Sequence, residues 1–367
     1  MMKDRMNRHR VLYEQRQLPT FQNRMYTSRH EALTCPKGDV VLVEDLETGL
    51  IYNAAFDPTL MTYDEHYQNE QAHSPKFQAH LASVAEVVER GLGRSDLVEV
   101  GCGKGYFLEK LRNRGIGITG FDPAYEGDNP DIKKHYFQPG TGIRGKGIVL
   151  RHVLEHVQDP LSFLGQLKQA NGGHGRIYIE VPCFDWICAR NAWFDVFYEH
   201  VNYFRLTDFE RMFGQVIESG RLFGGQYIYI VAELASLRAP TYQAAHAAAF
   251  PENFTSRIAV DLPQGRPAAV WGGASKGLIF TLLKNRAGQA IHTVIDINPA
   301  KQGQYLAATG VQVRSPKQAL SELPSGSVIY VMNSNYLDEI RAMSNNAYEY
   351  IEVDHECAAA QKPDGEK

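Results

Sequence analysis

The sequence is short of cysteine. Its 367 residues hold five, at positions 35, 102, 183, 188 and 357. No two of them have metal-ligand spacing, and the scatter fits a reducing cytoplasm. Charge of one sign is lacking too. The 38 Lys and Arg against 42 Asp and Glu leave a net −4, so no global basic field points to nucleic acid. No run approaches the roughly 18 apolar residues of a membrane span. The basic N-terminus (Lys3, Arg5, Arg8, Arg10, Arg16) has no apolar core behind it, so it reads as a solvated arm rather than a secretory signal. What is present is a 44% hydrophobic fraction, ample for buried cores, in a chain long enough for two domains. A cytoplasmic protein with a small-molecule substrate, as monomer or homodimer, is expected.

The stretch Val98-Glu99-Val100-Gly101-Cys102-Gly103-Lys104-Gly105 reads as a buried strand running through a glycine turn into a helix, with Phe107, Leu108 and Leu111 on the inward face. Glycines there let a ligand approach bare backbone N–H groups. A second strand, 116–121, ends in Asp122-Pro123, where an acid can meet ribose hydroxyls. The pattern lacks a clean G-x-G-x-x-G, which favours a nucleoside without a pyrophosphate over a dinucleotide. Ser74-Pro75 starts a helix over 75–91. Ahead of it, Tyr63 and Tyr67 either close over a ligand or pack on the domain. Strands at 97–100, 116–121, 147–150 and 175–181 alternate with helices at 105–114 and 160–169, which predicts a parallel sheet with ligands at the strands' carboxyl ends.

Arg151-His152-Val153-Leu154-Glu155-His156 falls at that end. Its His and Glu look superficially like metal ligands, but they equally cap the helix that begins near Asp159-Pro160, and no metal is expected. The passage 184–204 is dense in aromatics, with Trp193, Phe197, Tyr198 and Tyr203 around Glu199-His200. A Glu and a His there either do proton work or form a structural hydrogen bond under an aromatic lid. A helix over 208–214 and a hairpin of 220–223 with 226–233 follow. Residues 237–260 are alanine-rich and expected to be helical. Residues 1–70 read as irregular apart from short strands at 40–43 and 50–53.

A second α/β unit starts at 268. Strand 268–271 leads into Gly272-Gly273-Ala274-Ser275-Lys276-Gly277 and a helix over 278–285, then strands at 293–297, 327–332 and 348–353. Ser275 and Lys276 suit an anionic group at a helix N-terminus.

The Glu99-x-Gly101-x-Gly103 turn resembles motif I of class I S-adenosylmethionine-dependent methyltransferases. With it, further blocks resemble the sugar C-methyltransferase family: Asn53-Ala54-Ala55-Phe56-Asp57, Tyr63-Asp64-Glu65-x-Tyr67, Glu99-Val100-Gly101-Cys102-Gly103, Arg151-His152-Val153-Leu154-Glu155-His156, Glu199-His200-Val201-Asn202-Tyr203-Phe204, Gly273-Ala274-Ser275-Lys276-Gly277 and Asp296-x-Asn298-Pro299-x-Lys301-Gln302-Gly303. They run in family order. The resemblance implies an α/β fold: a short N-terminal lobe (1–70), a Rossmann-like class I methyltransferase sheet (71–240), a smaller Rossmann-like substrate domain (241–355) and a tail (356–367). It implies S-adenosylmethionine as cofactor, held by Tyr63, Tyr67, Ser74, Glu99, Gly101, Cys102, Gly103, Asp122, Pro123, Arg151 and His152. His200 is the expected base, oriented by Glu199, with Tyr198 or Tyr203 on the substrate oxygen. Trp193, Phe197, Asn202, Ser275 and Lys276 are expected on the substrate.

The chain departs from the family in two places. The family's N-terminal lobe binds zinc through two Cys-x-x-Cys pairs. Here Asp45 and Thr48 stand where the second pair would be, and no pair occurs near 13–16, so no structural zinc is expected. The family tyrosine two residues before the Glu is Phe197 here. The acceptor is then a nucleotide-linked ketosugar methylated on carbon, or an oxygen or nitrogen of a natural-product intermediate. A cofactor-binding protein that has lost catalysis and an NAD-dependent oxidoreductase are the other readings.

Overall fold

The computed structural model describes residues 8–61, 74–259 and 266–355. Its central sheet has seven strands, in the order Val216–Leu222, Tyr227–Glu233, Arg176–Pro182, Gly147–Arg151, Leu97–Val100, Ile118–Phe121, Ile132–Lys133. Tyr227–Glu233 runs antiparallel to both its neighbours, and the other pairings are parallel. Chain order reverses on either side of Leu97–Val100, which makes its carboxyl end the crevice of the sheet. That strand is buried along its whole length, as suits the middle of a parallel sheet. The helix Pro75–Leu92 is capped by Ser74, whose Oγ accepts from Phe77 N–H, and covers one face with Leu81, Val84 and Val88.

The second α/β unit is a parallel five-stranded sheet, ordered Val313–Arg314, Thr293–Ile295, Ala268–Trp271, Val328–Val331, Glu349–Glu352. The units are joined by packing and by ions. Trp193 stacks on Phe280 with ring centroids 5.3 Å apart. Lys276 Nζ meets Asp195 Oδ2 at 2.9 Å and Gln226 Oε1 at 2.9 Å. No helix among the described residues is long and apolar enough to cross a membrane.

The N-terminal lobe is more regular than its sequence implies. Strand His9–Pro19 pairs antiparallel with Lys37–Asp45, then Ile51–Asn53, and Asn202–Tyr203 completes the sheet. Two register shifts interrupt the first pairing, which breaks the period-2 pattern that would reveal a strand. Asn202–Tyr203 begins two residues after His200, so this lobe anchors the Glu199-His200 loop.

The turn after Lys37–Asp45 does not fit zinc. Asp45 Oδ1 accepts the N–H groups of Glu47 and Thr48, each at 2.7 Å. Arg211 holds the carbonyl of Thr48 at 2.5 Å, and Arg205 that of Gly49 at 2.8 Å. Guanidinium groups occupy the place where the resemblance puts thiolates.

The alanine-rich stretch is not helical as expected. It holds one short 3₁₀ turn, Ala244–His246, between Pro240 and Pro251. Its backbone is tied elsewhere: Thr241 and His246 carbonyls accept from Arg211 and Arg205, and Ala248 N–H donates to Glu44. Backbone groups satisfied from outside leave no helical ladder, and alanine propensity is too weak to override that.

Candidate active site

The glycine turn leaves the carboxyl end of Leu97–Val100. Gly101 has φ 71°, and a Cβ there would sit 2.5 Å from Val153 Cγ2. Both the backbone and the neighbour require glycine. Asp122 braces the turn from the adjacent strand tip: its Oδ2 accepts Gly103 N–H at 2.8 Å and its Oδ1 accepts Ala124 N–H at 2.9 Å.

A cleft of ≈ 310 Å³ opens over this turn. Glu99, Gly101, Cys102 and Gly103 form its floor, Arg151, His152, Glu155 and His156 one wall, and Phe197, Glu199 and His200 another. Glu99 is 3% exposed, and one of its oxygens has no hydrogen-bond partner among the described residues. Burial pushes its carboxyl up to about 7, against the pull of Arg151.

Behind the wall lies a buried ion network centred on Glu180, which is fully buried. It receives Arg151 at 3.2 Å, His152 Nε2 at 3.0 Å, His80 at 3.2 Å and the Tyr178 hydroxyl at 2.6 Å. Burial favours the neutral acid, but the Arg151 charge and these hydrogen bonds outweigh it and hold Glu180 well below its ordinary value. Burial also opposes charge on His152, yet its bonds to Glu155 and Glu180 raise it to about 9. His152 therefore stays cationic, with its backbone at φ 50°. Arg151 lies over the Phe107 ring at 4.4 Å.

His200 sits between His156 and Phe197, with ring centroids at 5.0 and 4.8 Å. Its buried Nδ1 has no hydrogen-bond partner among the described residues. Burial, followed by the nearby His156, His152 and Lys276, pushes it well below the usual histidine value, so the ring is neutral at pH 7.

Several expected roles need correction. Glu199 walls the cleft but does not orient His200; its Oε2 accepts Gln22 N–H at 2.9 Å. The Tyr203 hydroxyl is closed on Phe197, accepting its N–H at 3.0 Å and donating to its carbonyl at 3.2 Å. The Tyr198 hydroxyl does the same with the Asp57 backbone, at 2.8 and 3.2 Å. Neither phenol wall the cleft, so neither stands ready for a substrate oxygen. Trp193 is spent on the domain contact. Asn202 is buried, with its amide on the Val157 carbonyl. Ser74 binds Glu339 at 2.9 Å and lines a second cleft rather than the cofactor turn. Asp122 acts through the turn, and neither it nor Pro123 walls the cleft. Tyr63 and Tyr67 lie outside the described residues. Phe197, Ser275 and Lys276 do wall the cleft.

Sequence reasoning missed Asn23, Asp195 and Tyr227, which also line it. No motif marks them, and only the packing of the lobes brings them in. The second cleft, ≈ 190 Å³, lies over the Gly272–Gly277 turn and shares Asn23, Tyr227, Ser275 and Lys276 with the first. There Gly273 N–H bonds Asp296 Oδ2 at 2.8 Å, repeating the Gly103–Asp122 brace.

Comparison with known proteins agrees in chain order. Residues 63–216 match the methyltransferase domain family, and residues 236–351 match the C-methyltransferase C-terminal domain family. The C-methyltransferase NovU of Streptomyces niveus is 23% identical over 333 residues, 78% of each chain. Among solved structures, the N-methyltransferase NodS from Bradyrhizobium japonicum WM9 is 16% identical, with a TM-score of 0.32 over 44% of this chain and 97% of that one. A SAM-dependent methyltransferase from Archaeoglobus fulgidus is 17% identical, with a TM-score of 0.35 over 44% and 95%. Two adjacent family matches thus account for most of the sequence, and the chain belongs to the S-adenosylmethionine-dependent methyltransferases, with a C-methyltransferase C-terminal domain following the catalytic one.

Proposed function

We propose that the enzyme methylates a carbon beside the carbonyl of a nucleotide-linked ketosugar, with His200 removing the proton. The observation that carries this reading is the adjacency of the two clefts, which share Asn23, Tyr227, Ser275 and Lys276 as lining residues. An acceptor with a reactive end and a long anionic handle fits that shape. Its handle lies over the second glycine turn, where Lys276 and Lys301 line the cleft, and its ketone end reaches His200.

S-adenosylmethionine supplies an electrophilic methyl group on a sulfonium. The turn at Gly101 and Gly103 would hold it through exposed backbone, and Glu99, which lines the same cleft, would offset its positive charge. Neutral His200 would take the carbon-bound proton onto a ring nitrogen, and the enolate carbon left behind would then bond to the methyl group as the methyl–sulfur bond breaks, with S-adenosylhomocysteine as leaving group. Most of the acceleration then comes from holding donor and acceptor in line.

The test is mass spectrometry of nucleotide-linked 4-ketosugars incubated with enzyme and cofactor in deuterated water. A methyl gain on the carbon beside the carbonyl is expected. Phe197 motivates a second reading, since an oxygen or nitrogen acceptor needs no phenol beside the base. Methyl gain only on hydroxyl or amine acceptors would replace the first reading with the second.

Two cofactor-site predictions follow. Gly101→Ala is expected to weaken S-adenosylmethionine binding by more than about tenfold, since strain and the Val153 clash add; calorimetric titration measures it. Glu99 gives a pH dependence. Its carboxyl is raised from 4.5 to about 7, so without cofactor the fold loses stability as pH rises through that window. A cationic ligand favours the ionised form, so cofactor affinity is expected to rise as pH climbs towards about 7 and to level off above it. Glu99→Gln is expected to flatten that rise, and a slope equal to wild type would remove Glu99 from the site.

A further inference from the structure

We propose that Glu155, His156 and His200 form a binding site for a divalent late first-row cation such as Zn²⁺ or Co²⁺, and that its occupation disables the base. One ligand atom from each of the three lies within 4.8 Å of the others. Two neutral imidazoles and a carboxylate are a donor set these cations favour. The trio is invisible in the sequence, because His200 is remote from the other two. It is assembled by a backbone bond from Val201 N–H to the Glu155 carbonyl at 2.7 Å.

Two independent observations point to a ligand. Glu155 is 1% exposed, and its Oε2 has no hydrogen-bond partner among the described residues; the same holds for the buried Nδ1 of His200. Leaving such atoms unsatisfied is costly unless something binds them. The surroundings are also those of a metal site. His156 Nδ1–H donates to the Glu199 carbonyl at 2.9 Å, which fixes the tautomer and leaves Nε2 with its lone pair. Glu155 Oε1 is held by His152 Nδ1 at 3.3 Å. Outer partners of this kind orient ligands in established sites.

Bonds of about 2.0–2.2 Å in tetrahedral geometry bring ligand atoms to roughly 3.4 Å apart. Atoms as much as 4.8 Å apart must therefore close by up to about 1.4 Å, which the partly exposed rings of His156 and His200 allow. The cation and the acceptor's proton compete for His200, so metal binding is inhibitory. That consequence rests on His200 as base; the binding itself does not.

The experiment titrates chelator-treated full-length enzyme with Co²⁺, reading visible absorption with no acceptor present, and with Zn²⁺ by calorimetry. One cation per chain is expected, with a low-coordinate cobalt band. Glu155→Gln, His156→Ala and His200→Ala should each weaken binding by at least about tenfold, while cofactor affinity shows that the variants fold. No cobalt band in wild type, or a band unchanged in the three variants, overturns the site. Stoichiometric Zn²⁺ should abolish turnover, and full turnover with the cobalt band present overturns the inhibition. A wrong acceptor class leaves the band untouched, so the two readings fail separately.

Discussion

His200→Ala is expected to lower turnover by about 10²- to 10⁴-fold, the range for a removed general base, with S-adenosylmethionine affinity unchanged. The ring walls the cleft, is neutral at pH 7 and keeps a buried nitrogen without a hydrogen-bond partner among the described residues. The proposed cofactor contacts are on the glycine turn and not on this loop, so affinity is expected to be spared. Glu199→Gln makes the contrast. Its carboxylate accepts from Gln22 N–H, and an amide oxygen accepts equally well, so the loss is expected to be far smaller than for His200→Ala. Equal losses in the two variants, measured by single-turnover methyl transfer, would return Glu199 to the chemistry.

Asp208→Ala is expected to destabilise the protein by about 3–5 kcal/mol, the range for a buried ion pair robbed of one partner. Asp208 is fully buried and receives Arg205 at 2.8 Å, Arg211 at 2.6 Å and the Arg205 backbone N–H at 2.8 Å. Without it, two guanidinium groups at 4% and 8% exposure keep their charge with much less compensation. These arginines pin the Thr48 and Gly49 carbonyls and the alanine-rich segment, so the N-terminal lobe should loosen first. Urea denaturation gives the loss, and hydrogen exchange locates it. A change under about 1 kcal/mol, the scale of an exposed pair, would show that the lobe is held by packing alone.

The cofactor turn was legible because local rules fix it. Strand, glycines and helix follow one another within a few residues, and Asp122 falls at the next strand tip. The second glycine turn at Gly272–Gly277 was legible for the same reason. Roles set by tertiary contact were not. Tyr198 and Tyr203 sit beside the base in sequence, yet their hydroxyls close on backbone that the sequence does not place near them. Trp193 looks like an acceptor platform, but its partner Phe280 lies in the other unit. The strand His9–Pro19 hides behind its register shifts. The alanine-rich stretch follows its arginine partners and not its own propensity. Glu155, His156 and His200 show the same limit: two segments far apart in the chain meet through the bond from Val201 N–H to the Glu155 carbonyl.

The central claim is that His200 removes a carbon-bound proton from the acceptor. The most direct measurement is solvent-deuterium exchange into a nucleotide-linked 4-ketosugar, with S-adenosylhomocysteine in the cofactor site so that no methyl can be transferred. Wild type is expected to wash deuterium into the carbon beside the carbonyl, and His200→Ala to leave that carbon protonated. Equal exchange in the two proteins, or none from an enzyme that still methylates, would contradict it.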